Sequence, residues 1–192
     1  MTGEETPPDD EPHVVSMVRE PLNRLVAWVV DWGFILAWVA ITAAVGVSLF
    51  LAGMTRDLDT VTLNLVAATV TVIPVTFWLA WLESRAREAT PGKRIRKLTV
   101  ITATDGSRIT FGRALLRNVL KIAVPWLIGH AAVFSIVGTS ESGAVPIGVW
   151  LLTGVAYALP IVYVVSLFVG MGRTPYDRLS GTAVIRSKHR VA

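Results

Sequence analysis

The stretch RLVAWVVDWGFILAWVAITAAVGVSLFLAG, residues 24–53, opens with Arg24 and continues as one long apolar run that contains a single acid, Asp31. About 20 apolar residues span a bilayer as a helix, so the run predicts a transmembrane helix. Arg24 and Asp31 lie on nearly the same helix face, roughly 10.5 Å apart along the axis. An acid at that depth costs roughly 2.5 to 3.5 kcal/mol. We therefore expect Asp31 to face protein or water and to have a cationic partner.

The composition extends this expectation to the whole chain. Of its 192 residues 53% are hydrophobic and 17% are charged, and the mean hydropathy is +0.57. Zero cysteines exclude disulfides and thiolate metal sites. The sequence predicts an all-α membrane protein with four transmembrane helices. The expected spans are 25–53, 61–82, 119–138 and 145–169.

Positive charge is concentrated between the second and third spans. The loop 83–118 contains nine Lys or Arg residues, whereas the two short links inside the span pairs contain almost none. By the positive-inside rule, the loop and both termini are cytoplasmic. This orientation also explains the net charge of +4, so no nucleic-acid partner is expected. We divide the chain into a disordered acidic tail (1–19), a membrane domain (20–186) and a basic tail (187–192).

The middle loop has its own pattern. Residues 98–103 alternate, Asp105-Gly106 offers a tight turn, and 108–110 can return as a second strand, which predicts a cytoplasmic β-hairpin. Thr110 is then a plausible N-cap for an interfacial amphipathic helix. Its basic stripe contains Arg113, Arg117 and Lys121 at i, i+4 spacing. The stripe predicts contact with anionic lipid, with the Asp31 site or with a protein partner, and ordinary headgroup anchoring is the simpler alternative.

The sequence contains no recognisable catalytic motif. A phosphate-binding P-loop, a His-Glu-x-x-His pair and a Gly-x-Ser-x-Gly elbow are all absent. We therefore expect no catalytic residue, no metal and no cofactor. His130 is the one histidine inside a predicted span. It is a candidate proton relay, and a hydrogen bond between helices is the commoner role of such a residue.

Three segments resemble a known family. Residues 23–31, NRLVAWVVD, are similar to the Arg-x-x-Ala-x-x-x-Asp opening of the RDD family of bacterial membrane proteins. Residues 90–95, TPGKRI, with 110–118, TFGRALLRN, resemble its middle segment, and 173–185 resembles its closing segment. The resemblance covers roughly 20–186 and implies a multi-pass protein of the bacterial plasma membrane. It also implies that Asp177 is the family's second aspartate, although the family more often has His or Trp where this chain has Tyr176.

The resemblance groups four residues as a polar cluster: Arg24, Asp31, Asp177 and Arg178. One interpretation is structural, with Asp177 paired to Arg24 or Arg178 and Asp31 paired to a basic residue of the loop. The other is a cation or proton site at Asp31. Transport and partner-protein roles are both attached to family members. Two functions therefore stay open: an accessory or scaffold subunit of a larger membrane complex, or a small proton-coupled cation antiporter acting as a homodimer.

Overall fold

Four long helices form the body of the protein. The computed structural model describes residues 20–139 and 145–187, so the tail 1–19 and all but Ser187 of the basic tail lie outside the described residues. The elements are α1 (Pro21–Leu51), α2 (Thr60–Ser84), α3 (Pro91–Ile95), β1 (Leu98–Thr102), α4 (Phe111–Asn118), a π-helical turn (Val119–Ala123), α5 (Val124–Thr139), α6 (Ile147–Phe168), α7 (Pro175–Leu179) and β2 (Thr182–Arg186).

The prediction of four span-length apolar helices is confirmed. They are Pro21–Leu51, Val61–Ser84, Phe111–Gly138 and Ile147–Phe168. Local chemistry sets several helix starts. Asp59 accepts hydrogen bonds from the backbone N–H of Val61 and Thr62 at the start of α2, and Thr110 caps α4 as expected.

One boundary differs from the prediction. The expected interfacial helix and the expected third span are one helix, because α4 passes through the π-helical turn directly into α5. No Gly or Pro interrupts residues 113–124, so nothing in the local sequence ends the helix before Pro125.

The predicted β-hairpin is wrong in its second strand. β1 pairs in antiparallel fashion with β2, in register from Leu98↔Arg186 to Thr102↔Thr182. The expected return strand 108–110 contributes only the isolated bridge Ile101↔Arg108. Ile109 packs instead into a core cluster with Ala80, Val100 and Ala114, and Thr110 caps α4. The chain therefore leaves the sheet after one bridge, and β2 takes the position beside β1.

The two halves of the chain repeat one plan. In each half a pair of long helices is followed by a Thr-Pro step, a five-residue helix and a five-residue strand. Two residues separate helix from strand in both, and the second of them has positive φ: Lys97 at 56° and Gly181 at 65°. The register of β1 and β2 is symmetric about the pair Val100↔Val184. The sheet therefore joins the ends of two similar units, and we call segments 85–110 and 169–187 together the cap.

Candidate functional site

A chain of buried charges joins the cap to the long helices. At its centre is Arg117, which is 1% exposed. Its Nε donates to Asp177 Oδ1 at 2.9 Å, and its Nη1 donates to Glu83 Oε1 at 2.7 Å. Both carboxylates are fully buried. One guanidinium therefore bridges two acids from α7 and α2, a geometry that suits its forked donors.

Two further cations close the chain at its ends. Arg24 on α1 donates to Asp177 Oδ2 at 2.5 Å and also to the carbonyl of Gly172. Lys93 on α3 contacts Glu83 Oε1. We call the series Arg24, Asp177, Arg117, Glu83 and Lys93 the charge chain. Its charges alternate in sign, and every acid in it has two cationic partners. Removing any single partner is expected to be costly, since it leaves a buried charge less compensated.

Asp31 has a different environment. Its Oδ2 accepts from Thr90 Oγ1 at 2.6 Å, and its Oδ1 accepts from the backbone N–H of Gly92 at 2.8 Å. Among the described residues no Lys or Arg nitrogen lies within 4.0 Å of this carboxylate. Asp31 therefore makes no direct ion pair among these residues, but Lys93 of the middle loop lies near enough to interact with it electrostatically, and both line one cavity. Asp31 instead receives the hydroxyl and backbone donors at the start of α3.

The close approach of α3 to α1 makes this contact possible. A Cβ at Gly92 would lie 2.0 Å from the carbonyl oxygen of Ala27. No side chain other than hydrogen fits there without moving the backbone. Glycine at this position therefore brings the N–H within reach of Asp31.

The two members of the charge chain that lie in the cap, Asp177 and Lys93, have shifted pKa values. Burial alone would raise the pKa of Asp177, but Arg117 and Arg24 outweigh burial and hold that pKa well below its usual range. For Lys93 burial dominates over the attraction of Glu83 and lowers the pKa to about 7. Asp177 thus stays ionised at neutral pH. Lys93 gains or loses its proton close to neutral pH.

A small cavity lies beside the charge chain. Its volume is about 70 Å³, which is room for only a few water molecules. Its polar lining residues are Arg24, Asp31, Lys93, Arg117 and Lys121, and aromatic rings line much of the remainder. The cavity is suited to water or a small ion rather than to an organic substrate.

The structure separates the predicted site residues into three groups. Arg24 and Asp177 are bonded to each other, as the structural interpretation predicted, whereas Arg178 is exposed and lies outside the charge chain. The basic stripe is also divided. Arg113 is exposed, but Arg117 and Lys121 are buried, at 1% and 8% exposure, so they do not form an outward face with Arg113. Arg117 and Lys121 instead line one cavity with Asp31, and lipid contact by the stripe stays a prediction.

His130 lies apart from the charge chain. It lines a second cavity of about 450 Å³, together with residues of α5 and α6. Its Nε2 is buried and has no hydrogen-bond partner among the described residues. The interhelical hydrogen bond that we expected as its commoner role is not formed by this atom.

Sequence reasoning missed Glu83, Lys93, Thr90 and Asn118. Glu83 had a signal, because it is the one acid near the end of the second apolar run and so needed a partner as Asp31 did. Asn118 donates to Glu83 Oε2 at 2.9 Å. Lys93 and Thr90 had a weaker signal: the dipeptide Thr-Pro occurs at 90–91 and again at 174–175, which marks the two equivalent helix starts.

Comparison with known proteins gives one match. The family model described as the RDD family matches residues 18–139, which is more than half of the chain and includes Arg24, Asp31 and Arg117. No curated protein matches, and no solved structure matches.

Proposed function

The chain belongs to the RDD family, and from that premise we propose that it is a non-catalytic accessory or scaffold subunit of a larger complex in the bacterial plasma membrane. The observation that supports this role is the charge chain. Its acids are satisfied by cations of the same protein, so these buried charges act to hold the cap in one position on the long helices. A cap fixed in this way is a suitable docking element.

The surface of the cap fits that role. Ile95 on α3 and Leu179 on α7 occupy equivalent positions of the two halves, and they are 64% and 68% exposed. The cap also exposes basic side chains near Ile95, among them Arg85, Arg87 and Arg96. Apolar side chains beside positive charge favour a partner with an apolar patch and acidic groups. We propose that both termini and the cap face the cytoplasm, where such a partner binds.

Affinity purification in mild detergent tests the accessory role. We expect a partner to purify in fixed ratio with the wild-type chain and to be lost from Ile95→Asp and Leu179→Asp. Thr104→Asp is the matched control, because it adds the same charge to another exposed position of the cap and should keep the partner. Purification of this chain alone, from membranes in which it is expressed at its natural level, would contradict the proposal.

A second candidate, the proton-coupled cation antiporter, is favoured by a different observation. Asp31 and Lys93 line the same small cavity, and the pKa of Lys93 is lowered to about 7 by burial. A carboxylate and a lysine that titrates near neutral pH are the groups that exchange of a cation for a proton requires. Proteoliposomes of the pure protein should then exchange Na⁺ for H⁺. Asp31→Asn should abolish the flux and Arg113→Gln should retain it, whereas wild-type flux equal to that of empty liposomes would exclude transport.

A further inference from the structure

The larger cavity lies between two helices that are mostly uncovered by the rest of the chain. In the most apolar window of the span Ile147–Phe168 only 6% of residues are buried. The cavity has a volume of about 450 Å³ and is lined largely by apolar side chains of α5 and α6. Two of its lining residues, Val133 and Tyr157, are 62% and 72% exposed. The cavity therefore opens toward the side of the bundle where lipid chains would lie.

Three polar residues, Lys121, Trp32 and His130, lie in the lining of the same cavity. Lys121 lines it, and among the described residues no carboxylate oxygen lies within 4.0 Å of the Lys121 ammonium. Trp32 Nε1 and His130 Nε2 are buried and have no hydrogen-bond partner in the described part of the chain. Buried polar groups without partners are unfavourable. Their position beside Lys121 in one lining favours a polar ligand in this cavity.

The local charge indicates the sign of the missing partner. The charge chain together with its two neighbours, Asp31 and Lys121, contains the cations Arg24, Arg117, Lys93 and Lys121 and the acids Asp31, Glu83 and Asp177. When Lys93 is protonated, this group has one positive charge in excess. Lys121 is the one of these four cations with no carboxylate oxygen of the described residues within 4.0 Å. Glu83, the acid that interacts with it electrostatically, is already bonded to Arg117 and Lys93. The complementary ligand is therefore an anion.

We propose that this cavity binds an anionic phospholipid, with a phosphate oxygen at the Lys121 ammonium and an acyl chain between α5 and α6. The indole N–H of Trp32 is a second donor within the lining. The apolar lining favours a lipid over free phosphate, because a free anion would leave most of the cavity without a complementary partner. This site does not depend on the accessory role, and it assigns lipid contact to Lys121, one residue of the basic stripe that the sequence predicted.

Native mass spectrometry of the full chain in detergent tests whether the site prefers a lipid with an anionic headgroup. Phosphatidylglycerol should bind more tightly than phosphatidylcholine, by about fivefold, since one lysine contributes about 1 kcal/mol toward an anionic headgroup. Lys121→Gln should remove this preference. Arg113→Gln removes an exposed cation from the same helix and should keep it. Equal binding of the two lipids by the wild type, or equal loss in both variants, would overturn the proposal.

A second pair of variants keeps Lys121 and tests whether the cavity holds the acyl chain of the lipid. Gly129 lines the cavity and a Cβ there meets nothing within 4 Å, so Gly129→Leu should fill the space without a clash at the backbone. Gly138→Leu, equally open and on the same helix, is the control. Loss of bound phosphatidylglycerol in the first variant only supports an acyl-chain site. If inorganic phosphate displaces the lipid at millimolar concentration, or if both glycine variants bind as wild type does, the site does not hold the acyl chain and the lipid assignment fails.

Discussion

The two short helices of the cap start with the same dipeptide and then differ in charge. Helix α3 starts with Thr90-Pro-Gly-Lys93, and α7 starts with Thr174-Pro-Tyr-Asp177. In α7 the acid lies in the first turn, where Asp177 and Thr174 form a capping box. In α3 a lysine occupies that position, where a positive charge interacts unfavourably with the helix dipole. Asp31 of α1 supplies the missing acid from a neighbouring element.

The residue before that charged position differs as well. Gly92 lets α3 touch α1, whereas Tyr176 fills the equivalent place in α7. The ring of Tyr176 packs edge-on against Tyr163, with centroids 4.9 Å apart, and lies 5.3 Å from the guanidinium of Arg117. One backbone plan is therefore fixed to the long helices in two ways. The first half uses close backbone approach and the ion pair of Lys93 with Glu83. The second uses an aromatic ring and the ion pairs of Asp177 with Arg24 and Arg117.

Removing each acid should give the largest difference between the halves. Asp177→Asn leaves Arg24 and Arg117 short of a carboxylate and should lower the free energy of unfolding by about 3 to 5 kcal/mol. Asp31→Asn keeps an oxygen for the Gly92 N–H, and the Thr90 hydroxyl can accept from the new amide, so the loss should be about 1 kcal/mol. Thermal unfolding in detergent measures both. Equal losses would mean that Asp31 depends on a cation, with Lys93 the candidate, as strongly as Asp177 depends on its arginines.

The close approach of α3 should be the next most sensitive feature. Gly92→Ala places a methyl group against the carbonyl of Ala27 and should cost about 1 to 3 kcal/mol, as other overpacked sites do. The control is Gly112→Ala on α4, where a Cβ meets nothing within 4 Å. That substitution should be neutral or slightly stabilising. If the two alanine variants unfold at the same temperature, α3 does not touch α1 as described.

The smallest expected effect concerns pH. The pKa of Lys93 is lowered from 10.5 to about 7, so between these values the unfolded chain binds more protons at this site than the folded chain. Stability from this group therefore rises with pH above about 7 and is lost below it.

The matched comparison is with Lys93→Met, which has no titrating group at that site. Relative to this variant, the Tm of the wild type should rise between pH 7 and pH 9, by about 2 to 4 °C for each 1 kcal/mol gained. A constant difference between the two proteins over this range would show that Lys93 does not titrate there.

Much of the fold could be predicted from residues that act locally. Run length and hydropathy identified the spans, and Thr110 identified the start of α4. The pairing of Arg24 with Asp177 followed from the need of a buried acid for a cation, once the family resemblance had singled out Asp177.

What the sequence could not predict concerns partners from distant parts of the chain. The alternation in β1 indicates a strand but contains no information on its partner, so the nearby return strand is wrong and β2 pairs instead. The spacing of Arg113, Arg117 and Lys121 places them on one helix face, but it does not show that Glu83 and Asp177 contact Arg117. The hydrogen bonds of Asp31 with Thr90 and Gly92 depend on the close packing of α3 against α1, which no local pattern of charge indicates.

The position of β2 and α7 at the far end of the chain has a consequence for biosynthesis. The ribosome completes all four long helices before it makes Asp177 or β2. Until then, Arg24 and Arg117 lack one of the acids that they contact, and one edge of β1 lacks its partner strand. We therefore expect a chain that ends before Thr174 to leave the cap unfixed on the long helices and to be cleaved faster by protease than the full chain.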